Sequence, residues 1–256
     1  MPENNILLES YLKTLKLPGF VQNYQSVSLA CQKDNVAYDK YLQKLSEIEV
    51  NERYNRNVAK RLKQARFPSL KSLDSFDFQR VPTINKQLVS ELSRCEYIKN
   101  RENILMIGNS GVGKTHIAIA LGVSACQQGY SVGYHTAASL VNLLIEAYTE
   151  KALLKLQKKL LSYTLLIIDE LGYIPLSKTG AELLFDIFSQ RYEQGAIIVT
   201  SNLPFPKWTE VFGCEHLTGA LLDRLTHHVH IFHMEGESYR LHQSKEKLNI
   251  EVPPNI

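Results

Sequence analysis

Cysteine and long apolar runs are both scarce in this chain of 256 residues, and each scarcity narrows the class of protein. The four cysteines are scattered without a C-x-x-C pair, so free thiols in a cytosolic protein are the simplest interpretation (Cys31, Cys95, Cys126 and Cys214). No apolar run approaches the length of a membrane span, and no N-terminal segment has the apolar stretch of a signal peptide. The sequence therefore predicts a cytoplasmic protein.

Acidic residues are absent from one stretch of the chain. The net charge is only +3, and the apolar share of 44% is ordinary for a protein that buries a core. Between residues 53 and 71, however, no acid accompanies seven basic residues: Arg53, Arg56, Lys60, Arg61, Lys63, Arg66 and Lys71. Many of them are three or four positions apart, which places them along one face of a predicted helix. Such a face can bind DNA phosphates without reading sequence, although it can also be an ordinary solvated face.

Local periodicity divides the chain into a helical part and an alternating part. Residues 1–70 show apolar stripes at helical spacing, at Leu8, Tyr11, Leu12 and Leu15, at Tyr38, Tyr41, Leu42 and Leu45, and in a third helix over 48–65. Residues 71–87 are predicted to be a linker. From residue 88 to 256, strands are predicted at 104–107, 132–135, 165–168, 196–200 and 229–232, with helices between them that include 137–161 and 179–193. Apolar strands separated by helices predict an α/β fold with a five-stranded parallel sheet.

A glycine-rich octapeptide follows the first of these strands. It fits G-x-x-x-x-G-K-[ST], and the predicted strand before it and helix after it are the context that this phosphate-binding loop requires. Backbone N–H groups of the loop and the start of the helix would bind phosphate oxygens, Lys114 would reach the β- and γ-phosphates, and Thr115 would hold Mg²⁺. The ATP-binding residues are Gly108, Asn109, Ser110, Gly111, Val112, Gly113, Lys114 and Thr115.

Polar residues end two further predicted strands. Asp169 and Glu170 follow the apolar run 165–168, at the edge where ligands of open α/β sheets bind. We expect Asp169 to belong to the Mg²⁺ shell and Glu170 to be the general base that orients the attacking water. Asn202 follows the next apolar strand, and its amide is expected to bind both that water and the γ-phosphate. A simple turn is the alternative for each of these strand ends.

Two features near the C-terminus each allow more than one interpretation. Arg224 is predicted near the end of a helix, where a guanidinium can stabilise the transferring phosphoryl group, often in a neighbouring subunit, although its residue type alone equally fits a surface arginine. Four histidines follow it, but they alternate along a predicted strand and no cysteine or carboxylate completes a metal site in the sequence (His227, His228, His230 and His233).

Several motifs together resemble the IstB family. These are "LLIIDELGYIP", "RYEQGAIIVTSNLPFPKW", "LLDRL" and "RLKQARFP", and the resemblance covers nearly the whole chain. The family's members are bacterial ATP-dependent helpers of insertion-sequence transposases, AAA+ ATPases related to DnaC-type helicase loaders. The resemblance implies that Gly108–Thr115 is the Walker A loop, that Asp169 and Glu170 form Walker B, that Asn202 is sensor 1 and that Arg224 is the arginine finger.

The same resemblance implies how the protein is organised. A helical N-terminal domain, residues 1–70, would bind double-stranded DNA, mostly by contacts to the DNA backbone. The residues expected to make these contacts are Arg53, Arg56, Lys60, Arg61, Lys63 and Arg66. The AAA+ domain, residues 88–256, would form homo-oligomers with ATP and DNA and act with a transposase. Some two dozen residues after the last strand are too few for a full C-terminal lid, so a truncated lid is expected, with Arg240 as a candidate sensor 2.

Three functions other than a transposition helper are alternatives for a sequence of this kind. A helicase loader has the same ATPase but does not require the acid-free basic run, and a neighbouring transposase gene would separate the two. A small-molecule kinase predicts a phosphorylated acceptor, whereas an ATPase releases phosphate to water. A nucleotide-gated DNA scaffold would leave Glu170 without a role.

Overall fold

The computed structural model describes residues 5–236, 238 and 239, and the chain divides into two units, Met1–Lys60 and Arg61–Ile256. The predicted domain boundaries at residues 70 and 88 stay a prediction. Arg240, the candidate sensor 2 residue, lies outside the described residues, as does most of the predicted truncated lid.

The first unit is helical, as predicted. It contains α1 (Ile6–Thr14), α2 (Pro18–Lys33) and the first part of α3 (Tyr38–Ala65). Asn5 caps α1, and Pro18 begins α2, where a missing N–H has no consequence. The third helix predicted over 48–65 is wrong in its start, because the stripe at 38–45 belongs to the same 28-residue helix. That stripe is itself only partly buried: Leu45 is 2% exposed, but Tyr38 is 92% exposed.

The second unit alternates helices and strands. Its elements in chain order are a 3-10 turn (Phe78–Arg80), α4 (Lys86–Leu92), α5 (Glu96–Lys99), β1 (Asn103–Gly108), α6 (Lys114–Gln127), β2 (Val132–Thr136), α7 (Ala137–Thr149), α8 (Leu153–Leu161), β3 (Leu165–Leu171), α9 (Lys178–Arg191), β4 (Ala196–Ser201), a 3-10 turn (Phe205–Lys207), α10 (Trp208–Phe212), α11 (Glu215–Thr226) and β5 (Val229–Met234).

The five strands form a parallel sheet in the order β2-β3-β4-β1-β5, which confirms the predicted fold class. Successive strand residues point to opposite faces, so each strand contributes to two cores. One core joins the sheet to α6, and the other joins it to α7, α9, α10 and α11. Strand residues of the first core are Ile104, Met106, Leu165, Ile167 and Ile198; those of the second are Leu105, Leu166, Ile168, Ile197 and Val199.

The helix predicted over 137–161 is wrong, because it is two helices. The chain turns between α7 and α8, where Lys151 has a φ of +58°. Neither glycine nor proline marks this turn, and apolar residues continue on both sides of it, so the sequence pattern runs through the break. The strand predicted to end at Ile168 also continues to Leu171, with a register shift against β4 between Ile168 and Leu171.

Arg191, at the end of α9, is a buried arginine that has no acidic partner among the residues that the structure describes. It is 1% exposed, and its guanidinium donates hydrogen bonds to the carbonyl oxygens of Leu160, Tyr163, Thr164 and Ala196. Burial lowers its pKa to about 10. The side chain thus ties the end of α8 to the starts of β3 and β4.

Candidate nucleotide-binding site

The predicted phosphate-binding loop connects β1 to α6 and requires glycine at two positions for steric reasons. A Cβ on Gly108 would lie 2.0 Å from the carbonyl oxygen of Met234, and a Cβ on Gly113 would lie 2.5 Å from the Phe76 ring. Gly113 also has a φ of +97°, in the left-handed region that favours glycine. The loop is therefore held between β5 and the segment that precedes the sheet.

Lys114 is the first residue of α6, and its side chain folds back over the loop. Its Nζ donates to the carbonyl oxygens of Gly108 at 2.6 Å and Asn109 at 2.7 Å, and the residue is only 9% exposed. Buried ammonium groups need such partners. The two carbonyl oxygens thus hold the charge of Lys114 against the loop.

Asp169 is the most heavily hydrogen-bonded carboxylate of the site and is 1% exposed. Its Oδ1 accepts from the Thr115 hydroxyl at 3.0 Å and from the Thr200 hydroxyl, and its Oδ2 accepts from the Tyr134 hydroxyl at 2.6 Å. A carboxylate beside a threonine hydroxyl offers the hard oxygen ligands that Mg²⁺ prefers. The residues that were predicted to hold the metal, Thr115 and Asp169, therefore fit it.

Glu170 differs from Asp169 in both exposure and backbone conformation. Its side chain is exposed, and its φ is +60°, which is uncommon for a residue with a Cβ. Its N–H donates to the Thr200 hydroxyl at 3.0 Å. The two adjacent carboxylates therefore have different surroundings, one in the buried hydroxyl cluster and one in the open cavity.

Asn202 lies just after β4 and faces the same cavity. Its Oδ1 is buried and has no hydrogen-bond partner among the described residues. A buried amide oxygen without a partner loses stability unless water or a ligand satisfies it. Its position beside Glu170 and the loop fits a residue that binds a water or a phosphate group.

Lys114, Thr115, Glu170 and Asn202 line a cavity of about 730 Å³, which is within the size range of ligand pockets. The loop forms one wall, and Glu170, Thr200 and Asn202 form a second. The third wall was not foreseen. It comes from residues 68–81, which include the start of the predicted linker.

Specific contacts fix this third wall to α6 and to the loop. His116 Nε2 lies 2.8 Å from the Ser72 carbonyl oxygen, and Phe76 packs against His116 with ring centroids 5.3 Å apart. At the far end, the Arg80 guanidinium lies 5.3 Å from the centroid of the Tyr239 ring, and the Tyr239 N–H donates to the Gly111 carbonyl. The segment read as a linker therefore forms part of the site.

Arg224 lies in the last turn of α11, as predicted, but is not among the residues that line this cavity. Its guanidinium donates to the Ala220 carbonyl oxygen at 2.8 Å and lies 5.2 Å from the centroid of the Phe185 ring. It has no acidic partner among the described residues. The structure thus does not bring Arg224 to the phosphate loop of its own subunit.

The basic residues predicted to bind DNA differ in their ion pairs and in their exposure to solvent. Arg53 pairs with Glu49, and Arg56 pairs with both Glu49 and Glu52, one or two turns earlier in α3. Both acids precede residue 53, where the acid-free stretch begins, so the prediction of a basic face did not take them into account. The other side chains form no ion pair within the described chain, with Lys60, Lys63 and Arg66 exposed and Arg61 half-buried.

A second basic surface lies on α8 and was not predicted. No acid occurs between residues 151 and 168, and its four lysines are exposed: Lys151, Lys155, Lys158 and Lys159. Burial, Lys159 and Arg66, in that order, lower the pKa of His135. Arg66 and α8 are therefore close enough to act electrostatically on the same side chain.

The histidine cluster has a neighbour that the sequence did not reveal. Glu193, His227 and His228 have ligand atoms within 4.8 Å of one another, all exposed. The prediction that no carboxylate completes a site with these histidines is therefore wrong, because Glu193, just after α9, lies beside His227 and His228. His227 Nδ1 already has the Tyr192 hydroxyl 2.9 Å away.

Among the described residues, no helix is long and apolar enough to cross a membrane.

Comparisons with known proteins agree along most of the chain. Residues 10–247 match the family model described as "IstB-like ATP binding protein". The chain is 37% identical over 238 residues to a putative ATP-binding protein of insertion sequence IS5376 from Geobacillus stearothermophilus, which covers 93% of this chain and 95% of that protein. It is 38% identical over 239 residues to the corresponding IS21 protein of Pseudomonas aeruginosa, covering 93% and 90%.

Solved structures show the same fold at lower identity. The DnaC helicase loader is similar with a TM-score of 0.53 and 19% identity, over 64% of this chain and 96% of that one. AMPPCP-bound DnaA from Aquifex aeolicus is similar with a TM-score of 0.52 and 23% identity, over 72% and 57%.

Proposed function

The chain belongs to the IstB-like ATP-binding protein family and is an ATPase of the AAA+ class, and from this premise we propose that it is the ATP-driven helper of an insertion-sequence transposase. In this role it assembles on double-stranded target DNA in the bacterial cytoplasm, remodels that DNA, and recruits or activates the transposase. The observation that carries the proposal is the convergence of Lys114, Thr115, Glu170 and Asn202 on one cavity, with Asp169 hydrogen-bonded to Thr115 behind its wall, while Arg224 does not line it.

We assign each residue of the site a step in hydrolysis. Backbone N–H groups of residues 109–113 and the start of α6 bind phosphate oxygens, and Lys114 exchanges the loop carbonyls for the β- and γ-phosphates. Thr115 and Asp169 would hold Mg²⁺, which supplies charge neutralisation on the phosphates. Glu170, exposed in the cavity, accepts a proton from the attacking water. Asn202 Oδ1, which has no partner among the described residues, accepts from that water, and its Nδ2 donates to a γ-phosphate oxygen.

The third wall receives the nucleoside. Phe76, Val81 and Ile119 offer apolar surface there, and the Arg80–Tyr239 pair closes the far end. An aromatic ring and a guanidinium are both able to stack on a base. We assign this wall to the adenine side because the opposite walls carry the phosphate ligands.

Arg224 acts in a neighbouring subunit. A guanidinium that does not line its own cavity, and that has no acidic partner in the described part of the chain, is available for an adjacent cavity. Arginine fingers accelerate hydrolysis by about 10³- to 10⁵-fold, so an isolated subunit should be a poor ATPase. A homo-oligomer formed with ATP and DNA is the assembly that this arrangement requires.

DNA phosphates are the proposed ligand of the exposed basic residues. Lys60, Lys63 and Arg66 of the predicted set keep that assignment, and the lysines of α8 join it. Arg53 and Arg56 also stay in the set, although their acidic neighbours reduce the charge they offer. Contacts of this kind give affinity with little sequence preference.

A reconstituted transposition reaction tests the proposal. Purified chain, DNA, ATP and the transposase encoded beside it should give DNA-stimulated phosphate release, nucleotide-dependent particles on DNA, and increased strand transfer into that DNA. Lys114→Ala should lose all three. Strand transfer that is equally efficient without the chain, or with Lys114→Ala, would refute the helper role.

A DnaC-like helicase loader is the second candidate, supported by the similarity of fold. It predicts a stable complex with a replicative helicase and loading of that helicase onto DNA. The match of residues 10–247, which includes most of the N-terminal region, to insertion-sequence proteins favours the helper. Pull-down with each partner separates the two functions.

A further inference from the structure

Tyr134 connects an edge strand to the buried carboxylate of the nucleotide site. It lies on β2 opposite Ile167, two positions before the residue that pairs with Asp169. Its side chain is 8% exposed, and its ring packs on Phe67 with centroids 6.0 Å apart. Its hydroxyl donates to Oδ2 of Asp169 at 2.6 Å. Phe67 therefore fixes the position of the Tyr134 ring, and the Tyr134 hydroxyl fixes the position of the Asp169 carboxylate.

The hydroxyl groups around Asp169 distinguish its two oxygen atoms. Oδ2 receives Tyr134, whereas Oδ1 receives Thr115 and Thr200. This division fixes the rotation of the carboxylate and keeps Oδ1 beside the hydroxyl that is expected to share the metal. A phenol has an ordinary pKa of about 10 and is therefore a neutral donor at neutral pH. A neutral donor orients the carboxylate without cancelling the charge that attracts a cation, as a lysine or an arginine would.

We propose that Tyr134 is a positioning residue that orients Asp169 for Mg²⁺ and thereby sets the metal affinity of the nucleotide site. It touches neither nucleotide nor water in this role, and acts only through Asp169. Groups that orient metal ligands typically change metal affinity by about 10- to 100-fold when they are removed. The inference rests on the proposed role of Asp169, so the test includes a variant of that residue.

Nucleotide binding, measured with and without the metal, tests the role of the hydroxyl. A fluorescent ATP analogue is titrated into wild type, Tyr134→Phe, Asp169→Asn and the double variant, first in EDTA and then at increasing MgCl₂. Tyr134→Phe keeps the ring that packs on Phe67 and should bind the analogue in EDTA as wild type does. Its half-saturating Mg²⁺ concentration should rise by about 10- to 100-fold. Tyr130→Phe removes a phenol two residues before the same strand and should change neither quantity.

The double variant separates positioning from a general structural effect. If Tyr134 acts through Asp169, then Tyr134→Phe should add nothing to the Mg²⁺ defect of Asp169→Asn. Fully additive effects, a change in half-saturating Mg²⁺ below about 2-fold, or an equal loss of affinity in EDTA would overturn the inference. Thermal melting of each variant fixes a titration temperature at which all are folded. If Asp169→Asn itself leaves the Mg²⁺ dependence unchanged, the proposed metal site fails instead.

Discussion

Replacing Thr200 by valine should damage the site in a way that can be calculated from its contacts. The hydroxyl donates to Oδ1 of Asp169 and accepts from the N–H of Glu170 at 3.0 Å, and the residue is 1% exposed. Valine has nearly the same shape but can do neither. A hydrogen bond to a charged group contributes about 1.5–3 kcal/mol, and a buried donor left without an acceptor costs about 1–3 kcal/mol.

Two facts place the expected loss toward the lower part of that range. Asp169 keeps the hydroxyl groups of Thr115 and Tyr134, and the N–H of Glu170 is only partly buried. We therefore expect Thr200→Val to lower the free energy of unfolding by about 2.5–4 kcal/mol, measured by urea denaturation. Thr200→Ser keeps the hydroxyl and should lose only about 1 kcal/mol through its missing methyl group.

ATP hydrolysis provides a second measurement on the same pair of variants. Without the Thr200 acceptor, the backbone that carries Glu170 at a positive φ loses one of its restraints. Hydrolysis by Thr200→Val should therefore decrease more than its affinity for ATP, whereas Thr200→Ser should resemble wild type in both. Equal stability of the valine and serine variants would refute the hydrogen-bond network described here.

Two other substitutions test separate parts of the proposal. Glu170→Gln should bind ATP with nearly normal affinity but release little phosphate, because an amide cannot accept the proton of water; near-normal turnover would remove Glu170 from the role of base. Charge reversal of Lys155 and Lys158 should weaken binding to all DNA sequences alike and lower the salt slope by about one for each lost phosphate contact. Lys178→Glu changes the same charge at an exposed position of α9 and serves as the control. An unchanged slope would return α8 to an ordinary solvated surface.

The centre of the sheet was predictable because nearly all residues of β1, β3 and β4 are buried. Runs such as 165–168 and 196–199 are apolar at every position, and polar residues follow them at the edge where the loop lies. The α7–α8 break carries no such signal, since its turn at Lys151 uses a positive φ without glycine. Its position depends on how the two helices pack onto α9 and the sheet, and local propensity does not contain that information.

The site was predictable only for residues whose chemistry follows from a local motif. The loop, Asp169 and Glu170 stand next to strand ends that the sequence marks clearly. Tyr134 has no such marker, because its contact with Asp169 depends on the pairing of two strands 35 residues apart. The third wall was missed for a related reason. Its side chains lack periodicity, so the segment reads as a linker until the packing of Phe76 against the loop is known.

Arg224 is expected to act in the nucleotide site of the neighbouring subunit. If this arginine acts in trans, Arg224→Ala keeps its own loop and Glu170 but deprives its neighbour of the guanidinium. Glu170→Gln has the opposite defect, because its own site fails while its Arg224 remains available. Each variant alone should therefore hydrolyse ATP poorly on DNA. Arg94→Ala, which removes an exposed arginine that makes no ion pair in the described chain, should remain active.

Mixing the two variants should restore part of the activity. In a random mixture of equal amounts, about one quarter of the interfaces pair an intact Glu170 with an intact Arg224, and since a finger contributes about 10³- to 10⁵-fold in rate, their activity should far exceed the background. Phosphate release is measured for each variant and for the mixture, with mixed assembly verified by two fluorescent labels. A mixture no more active than its separate components would show that Arg224 does not act in trans. The stacking of Arg224 on Phe185 and its bond to the Ala220 carbonyl would then be its whole role, and the interface would require another source of positive charge.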